Sequence, residues 1–248
     1  MASITVLDDD VELDDPTLVE GLPGVGLVGK LATDHLVETL DMEYYANIDC
    51  EGLPPISVYD EGSRNLQPPV RLYADAERDL VALQSDVPVS ASAASDFSSC
   101  VTEWVAENDA TPIYMSGLPQ QKQPDKIPSL YGVATGDAGE RLDDHDIDTP
   151  RERGAITGPT GALLYEAGTR GLDAVGLVVQ SDPQFPDPEA ARILVEHGIG
   201  PLAGVEVETD QLVERAEEIS DQKEQLAQRM GEADPDESSQ AQPLRMFQ

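Results

Sequence analysis

The stretch Gly21-Leu22-Pro23-Gly24-Val25-Gly26-Leu27-Val28-Gly29-Lys30 decides how this chain is interpreted. It follows a short run of strand-forming residues and passes into apolar residues at helical spacing, which predicts a helix over residues 25–41. A strand, a glycine-rich turn and a helix in this order are typical of a layered α/β fold. Within the stretch, Gly24, Gly26 and Gly29 form the G-x-G-x-x-G pattern of dinucleotide-binding turns.

Two interpretations of these glycines are open. In a nucleotide-binding protein the turn holds a pyrophosphate, and Asp49, about twenty residues after Gly29, takes the place of the ribose-binding acid. In the alternative, the glycines let the turn pack closely against the sheet or a neighbouring subunit. Pro23 favours the packing interpretation, because it interrupts the strand where it would run straight into the first glycine of the pattern.

The rest of the chain alternates strand and helix patterns. Residues 174–180 form a continuous apolar run that predicts a strand buried on both faces. Residues 155–161 repeat the order of strand, glycine turn and helix, while short β-prone runs at 56–59 and 70–73 predict a hairpin. The predicted fold class is α/β, a layered sandwich with a mostly parallel, mixed central sheet and helices on both faces.

Three segments are predicted. Residues 1–209 form the α/β domain. Residues 210–230 form one helix, whose apolar positions alternate at four- and three-residue steps. Such a helix packs either within the chain or between subunits. Residues 231–248 are predicted to be a disordered acidic linker with an apolar end, Met246-Phe247-Gln248. Two large apolar side chains on a flexible tether favour a docking peptide, and an idle terminus is the alternative.

The composition is strongly acidic, with 49 Asp and Glu against 15 Lys and Arg and a net charge of −34. Such a surface repels itself at low ionic strength. Molar salt relieves the repulsion by shrinking the Debye length to roughly 3 Å. The few lysines and aromatic residues beside this carboxylate excess resemble the proteins of salt-accumulating haloarchaea. Because no basic stripe is present to neutralise phosphates, nucleic acid is not expected as a partner.

Few residues suggest chemistry at a site. Cys50 and Cys100 are isolated, so neither a disulfide framework nor a zinc site is predicted. Residues 143–148 are rich in aspartate but lack the glycine and final glutamate of a calcium loop, which favours a solvated acidic loop. Residues 158–161 lack the ending of a P-loop, and no G-x-S-x-G motif occurs. We therefore expect no metal, no cofactor and no catalytic residue.

The sequence also carries no signal of membrane targeting. Residues 2–6 lead directly into carboxylates, so no signal peptide is predicted. No apolar run approaches the ~20 residues of a membrane span. We expect a cytoplasmic protein with no membrane contact.

Three motifs follow one another along the chain: Gly21-Leu22-Pro23-Gly24-Val25-Gly26-Leu27-Val28-Gly29, then Gly158-Pro159-Thr160-Gly161-Ala162-Leu163-Leu164, then Pro186-Asp187-Pro188-Glu189-Ala190-Ala191. In this order they resemble the proteasome assembly chaperone 2 family, in its archaeal form. The resemblance covers residues 15–230, and it implies an α/β sandwich around a mostly parallel sheet. It further implies homo-oligomers or heterodimers that handle proteasome α-subunits, with no established enzyme activity.

The family also gives the C-terminal end a possible meaning. Members that act on the proteasome often end in a hydrophobic residue, a tyrosine and any residue, and this peptide inserts between neighbouring α-subunits, where its carboxylate meets a lysine. Met246-Phe247-Gln248 is similar, with phenylalanine in place of tyrosine. The exchange removes one hydroxyl hydrogen bond, worth about 0.5–1.5 kcal/mol net. A flexible linker of about twelve residues has a reach of roughly 20 Å, enough to deliver the peptide to such a pocket.

The sequence therefore predicts an oligomeric proteasome assembly chaperone that binds α-subunits. Met246, Phe247 and Gln248 are its partner-binding residues. The alternative is a nucleotide-binding enzyme, similar to an ATP-dependent ligase, that uses the glycine-rich turns. The turn residues of the family motifs are Gly21, Pro23, Gly24, Gly26, Gly29, Gly158 and Gly161.

Overall fold

The structure is a computed structural model that describes residues 2–7, 11–59, 62, 64–120 and 127–214. Its strands are β1 (Ser3–Val6), β2 (Thr17–Gly21), β3 (Glu43–Asp49), β4 (Val70–Asp75), β5 (Leu80–Ser85), β6 (Thr111–Pro119), β7 (Leu130–Thr135) and β8 (Ala174–Ser181). Its α-helices are α1 (Val28–Thr39), α2 (Ala94–Glu107), α3 (Gly139–Asp144), α4 (Gly158–Arg170), α5 (Pro188–Leu194) and α6 (Gly200–Ala203). A 3₁₀ turn (Val25–Leu27) precedes α1, and a π-helical turn (Val195–Ile199) joins α5 to α6.

The described strands form one mixed sheet in the order β1-β3-β4-β5-β2-β6-β8-β7. The four neighbours β5, β2, β6 and β8 pair in parallel. The remaining pairings, β1 with β3, β3 with β4, β4 with β5 and β7 with β8, are antiparallel. The parallel pairings therefore lie in the middle of the sheet, and the antiparallel pairings lie at its two sides.

Helices cover both faces of this sheet because the central strands carry apolar side chains on both faces. In β2, the neighbouring residues Leu18 and Val19 point to opposite faces, and both are fully buried. Val19 belongs to the core under α1 and α5, whereas Leu18 belongs to the core under α2 and α4. The predicted α/β fold class, with a mixed sheet and helices on both faces, is confirmed.

Two local predictions are wrong. Residues 70–73 do not form a hairpin with residues 56–59, because β4 is buried along its whole length between β3 and β5. The segment 56–59 keeps one bridge, between Val58 and Gln67. Residues 155–157 are not a strand, since the side of β8 where they would pair is already taken by β7.

The segment after α6 returns along α1. The ring of His35 donates through Nε2 to the Glu208 carbonyl at 2.6 Å, and Leu212 is fully buried in the core under α1. Residues 210–214 are helical, so a helix begins at the predicted residue. The rest of the predicted helix and the tail lie outside the described residues, and the division into three segments stays a prediction. No helix in the described part is long and apolar enough to cross a membrane.

Candidate functional site

The three motifs meet at the edge of the sheet where the parallel strands end, which we call the carboxyl edge. The backbone N–H of Asp187, in the third motif, donates to the Gly26 carbonyl at 2.8 Å. The hydroxyl of Thr160, in the second motif, donates to Oε1 of Glu20, one residue before the first motif, at 3.0 Å. Segments that are 140 and 161 residues apart in the chain are therefore in direct contact with the first turn.

The glycines of the first motif mostly face protein atoms. A Cβ on Gly26 would lie 1.8 Å from Oγ of Ser181, and one on Gly21 would lie 2.4 Å from Oγ1 of Thr33. Gly26 also has a φ of +62°, which L side chains rarely adopt. Only Gly24 among these residues faces open space. Close packing, and not room for a ligand, accounts for Gly21 and Gly26.

The same turn fills the crevice where open α/β sheets bind ligands. The pairing of β2 with β6 stops at Val19 and Ile113, so the two strands separate toward the carboxyl edge. Val25 occupies the opening, because a Cβ on Gly117 of β6 would lie 2.4 Å from the Val25 carbonyl oxygen. Leu27 follows with a φ of +51°, a conformation that costs about 1–2 kcal/mol in a residue other than glycine.

Asp49 is not positioned as a ribose-binding acid. In a dinucleotide-binding fold that acid follows the strand beside the glycine turn. Here β3, which ends at Asp49, is separated from β2 by β4 and β5. Three strand spacings amount to roughly 14 Å. The geometry favours the packing interpretation of the G-x-G-x-x-G pattern.

Glu20 is a buried carboxyl in the centre of the sheet. Its Oε2 accepts the Met115 N–H at 2.9 Å, and its Oε1 accepts the Thr160 hydroxyl and the Leu22 N–H at 3.0 and 3.3 Å. Burial raises the pKa of Glu20 from 4.5 to about 8, although the three donors act to lower it. Glu20 thus ties together β2, β6 and α4 at the point where β2 and β6 separate.

The second and third motifs build helix starts at this edge. A Cβ on Gly161 would lie 2.3 Å from the Ile156 carbonyl oxygen, so the first turn of α4 closes tightly over the segment before it. Asp187 caps α5, with Oδ1 accepting the Ala190 N–H at 3.1 Å and Oδ2 accepting the Asp182 N–H at 2.9 Å. The helix start predicted at Asp187 and Pro188 is confirmed.

A charged network lies beside the first motif, between α1 and strands β4 and β5. Asp86 accepts from Lys30 at 3.0 Å and from Arg71 at 2.7 Å, and the Arg71 side chain is almost fully buried. Lys30 also contacts Asp34, to which the Gln84 amide donates. Burial acts to raise the pKa of Asp86, but Lys30 and Arg71 outweigh it and hold that pKa below its ordinary value.

Comparison with known proteins identifies the family of this fold. A model of the PAC2 family matches residues 18–227. The chain belongs to the PAC2 family. The resemblance inferred from the three motifs is therefore confirmed.

Solved structures agree with the PAC2 assignment. PbaA of Pyrococcus furiosus, an archaeal homolog of proteasome-assembly chaperone, is 26% identical to this chain. The similarity covers 94% of this chain and 99% of the PbaA chain, and the two structures superpose with a TM-score of 0.79. PbaB of the same organism, an archaeal proteasome activator, shares the fold at 22% identity and a TM-score of 0.74, over 91% of this chain and 98% of its own. An uncharacterized protein of Methanocaldococcus jannaschii is 25% identical over 220 residues, which are 88% of each chain.

The predicted site residues divide into two groups. The family-motif glycines and Pro23 lie at the carboxyl edge or at the starts of α1 and α4 beside it. Met246, Phe247 and Gln248 lie outside the described residues, so their role stays a prediction. No group of three potential metal ligands occurs in the described part of the chain, which includes residues 143–148.

Sequence reasoning missed the importance of Glu20 and Asp86. A glutamate between Val19 and Gly21, within a strand that is otherwise apolar, was the available signal for a buried carboxyl. Its partners Met115 and Thr160 are 95 and 140 residues away, and no local pattern connects them. The sequence around Asp86 did not indicate its role. That role depends on the partner Arg71, which is buried by the pairing of β4 with β5.

Proposed function

We propose that this protein is a cytoplasmic proteasome assembly chaperone that binds proteasome α-subunits and has no enzyme activity. The observation that carries the proposal is membership of the PAC2 family together with similarity to PbaA along nearly the whole length of both chains. PbaA is described as a homolog of proteasome-assembly chaperone. A proteasome-related partner is the role that this family relationship supports.

The packed first motif is consistent with a protein-binding function. Val25 occupies the crevice at the carboxyl edge, and Gly26 lies against Ser181. The backbone of the turn therefore packs against protein atoms and does not face a site for a pyrophosphate. The rival function, a nucleotide-binding enzyme, depends on an open turn and an acid on the neighbouring strand. Neither requirement matches this arrangement.

The C-terminal end supplies the docking element in our proposal. In the proposal, Met246 and Phe247 supply two apolar side chains and Gln248 supplies a C-terminal carboxylate. We propose that the phenylalanine ring packs between neighbouring α-subunits and that the carboxylate pairs with a lysine there. A homo-oligomer presents several such tails at once, which raises the effective concentration of each tail at the ring.

Capture of α-subunits in molar salt tests this function. The full chain, immobilised through its N-terminal end, should retain purified α-subunits of the same organism. Phe247→Ala should weaken capture roughly tenfold, which corresponds to about 1.4 kcal/mol. Phe247→Tyr should strengthen capture about two- to tenfold, because the hydroxyl restores a hydrogen bond worth about 0.5–1.5 kcal/mol.

The matched control is Gln242→Ala, which changes the linker and leaves the last three residues intact. It should capture α-subunits as well as the unaltered chain does. The unaltered chain, Phe247→Ala and a chain without residues 246–248 could all capture α-subunits equally. That result would show that the tail does not contribute to capture. No capture by any of them would remove the proteasome partner itself.

A further inference from the structure

The two cysteines of the chain, Cys50 and Cys100, belong to the same region of the fold, although they are far apart in the sequence. Cys50 comes directly after β3 and is buried in the core under α2 and α4, in one cluster with Phe97 and Val101 of α2. Cys100 lies between these two residues in α2 and is half-buried. Both thiols are free. The packing of α2 on the sheet therefore places two reduced cysteines on neighbouring elements.

The thiol of Cys50 lies against the start of α2. Its Sγ is 4.0 Å from the Ala93 carbonyl oxygen. Ala93 also packs against the connection after β3, because a Cβ on Gly52 would lie 3.1 Å from Cβ of Ala93. The end of β3 and the first turn of α2 are therefore in close contact at two points.

Cys100 lies on the side of α2 that Cys50 contacts. It follows Ala93 by about two helical turns, and residues at this spacing lie above one another on one face of a helix. Side chains in a helix lean toward its N-terminus, so the Cys100 thiol leans back over the turn that carries Asp96 and Phe97. This direction brings it closer to Cys50.

The surroundings of both thiols favour the protonated form. Burial raises the pKa of Cys50, and burial raises that of Cys100 to about 11, with a further contribution from the neighbouring Cys50 thiol. The carboxylates that act in the same direction are Asp49, Glu51, Asp96, Glu103 and Glu107. Since the thiolate is the reactive form, both cysteines react slowly with oxidants at neutral pH.

We infer that Cys100 is an oxidation site, and that a peroxide converts Cys100 and Cys50 into a disulfide that fastens the end of β3 to α2. The half-buried Cys100 reacts first: its sulfur takes one oxygen of the peroxide, the O–O bond breaks, and a sulfenic acid and one water form. The sulfur of Cys50 then attacks the sulfur of Cys100. The S–O bond breaks, and its hydroxyl leaves with the proton of the Cys50 thiol as a second water. This inference does not depend on a proteasome partner.

Treatment of the full chain with hydrogen peroxide in molar KCl tests the inference. Both free thiols should disappear, the mass should fall by about 2 Da, and peptide mapping should link Cys50 to Cys100 within one chain. The midpoint of urea unfolding should rise, because the bond closes a loop that includes β4 and β5 and restricts the unfolded chain. Dithiothreitol should restore both the thiols and the midpoint.

The rate of the reaction gives a second measurement. Below the pKa of Cys100 the thiolate fraction grows tenfold with each pH unit, so oxidation should be about ten times faster at pH 9 than at pH 8. Cys50→Ser is the matched control for the second step. It should leave the sulfenic acid of Cys100 to be trapped by dimedone, and its urea midpoint should not rise after peroxide. Unfolding curves before treatment verify that this variant folds.

Four results would overturn the inference. They are thiols that stay unoxidised at pH 9 under excess peroxide, further oxidation of Cys100 to a sulfinic acid while Cys50 remains a thiol, a disulfide between two chains in place of one within a chain, and an intramolecular disulfide that leaves the urea midpoint unchanged. The first would show that Cys100 is shielded from the oxidant, and the second and third that the two sulfur atoms do not meet in the folded chain. The fourth would show that the bond does not fasten β3 to α2.

Discussion

The two ends of the sheet are built differently, although the same strands run into both. The amino edge, the end of the sheet opposite to the carboxyl edge, is formed by acidic connections, most of which carry aspartate at the turn. The carboxyl edge carries the three family motifs, the packed glycines and five of the nine large apolar side chains that are exposed in the described residues. The comparison shows that acidic residues are not spread evenly over the surface. They are common at the amino edge and less common at the carboxyl edge.

The largest effect is expected from filling the packed turn. Gly26→Val places a β-branched side chain where a Cβ alone would lie 1.8 Å from Oγ of Ser181, at a φ of +62°. We expect a loss of at least about 3 kcal/mol in the free energy of unfolding, from overpacking and backbone strain together. Urea unfolding at constant molar KCl measures it.

Gly24→Ala is the control for this turn, because position 24 faces open space and has a negative φ. It should change the free energy of unfolding by less than about 1 kcal/mol. Equal losses in both variants would mean that the turn at the carboxyl edge is not packed as described.

A second effect concerns the pH dependence of stability. The pKa of Glu20 is about 8 in the folded state against 4.5 ordinarily, so folding favours the protonated carboxyl. Its contribution is fully present below pH 4.5 and is lost as the pH rises through 8. Relative to Glu20→Gln, which cannot titrate, the unaltered chain should gain about 2 kcal/mol between pH 8.5 and pH 6.

Unfolding free energies of both chains at several pH values in this range supply the comparison. Glu77→Gln is the control, because Glu77 lies in an exposed connection of the amino edge. A difference between the unaltered chain and Glu20→Gln that stays constant with pH would show that Glu20 is ionised in the folded protein throughout.

A smaller effect is expected from the charged network beside the first motif. Asp86→Asn leaves the buried guanidinium of Arg71 without its carboxylate, and we expect a loss of about 1–2 kcal/mol in the free energy of unfolding. Glu103→Gln, exposed on α2, should have almost no effect. If Asp86→Asn and the control substitution lower the free energy of unfolding equally, the ion pair between Asp86 and Arg71 does not stabilise the fold.

The smallest effect should come from the amino edge. Replacing Asp143, Asp144 and Asp146 by asparagine removes three exposed carboxylates from one connection. The KCl concentration needed to keep the protein folded should fall slightly, and stability in molar KCl should not change, because salt already screens these charges there. Unfolding as a function of KCl concentration measures the shift. A loss of stability in molar KCl would indicate a specific structural role.

Much of the fold follows from local patterns in the sequence. The apolar spacing after Gly29 predicted α1, and Asp187 followed by Pro188 predicted the start of α5. Such features depend on residues that are neighbours in the chain, so local chemistry specifies them. The alternation of strands and helices then predicted an α/β sheet with helices on both faces.

Strand order and the interior of the site were not predictable in the same way. The place of β4 between β3 and β5 depends on contacts across the sheet, and the local pattern suggested a different pairing for residues 70–73. Likewise, the partners of Glu20 are defined by the folded chain alone. The glycine pattern was ambiguous for the same reason, because a packed turn and a pyrophosphate-binding turn need the same small residues.

The central claim is that residues 21–29 form a packed turn of a protein-binding fold and not a cofactor site. Calorimetric titration of the full chain with ATP and with NAD in molar KCl tests this claim most directly. We predict no saturable heat for either nucleotide up to millimolar concentration. Micromolar binding of either one, with one site per chain, would contradict the claim and restore the nucleotide-binding alternative.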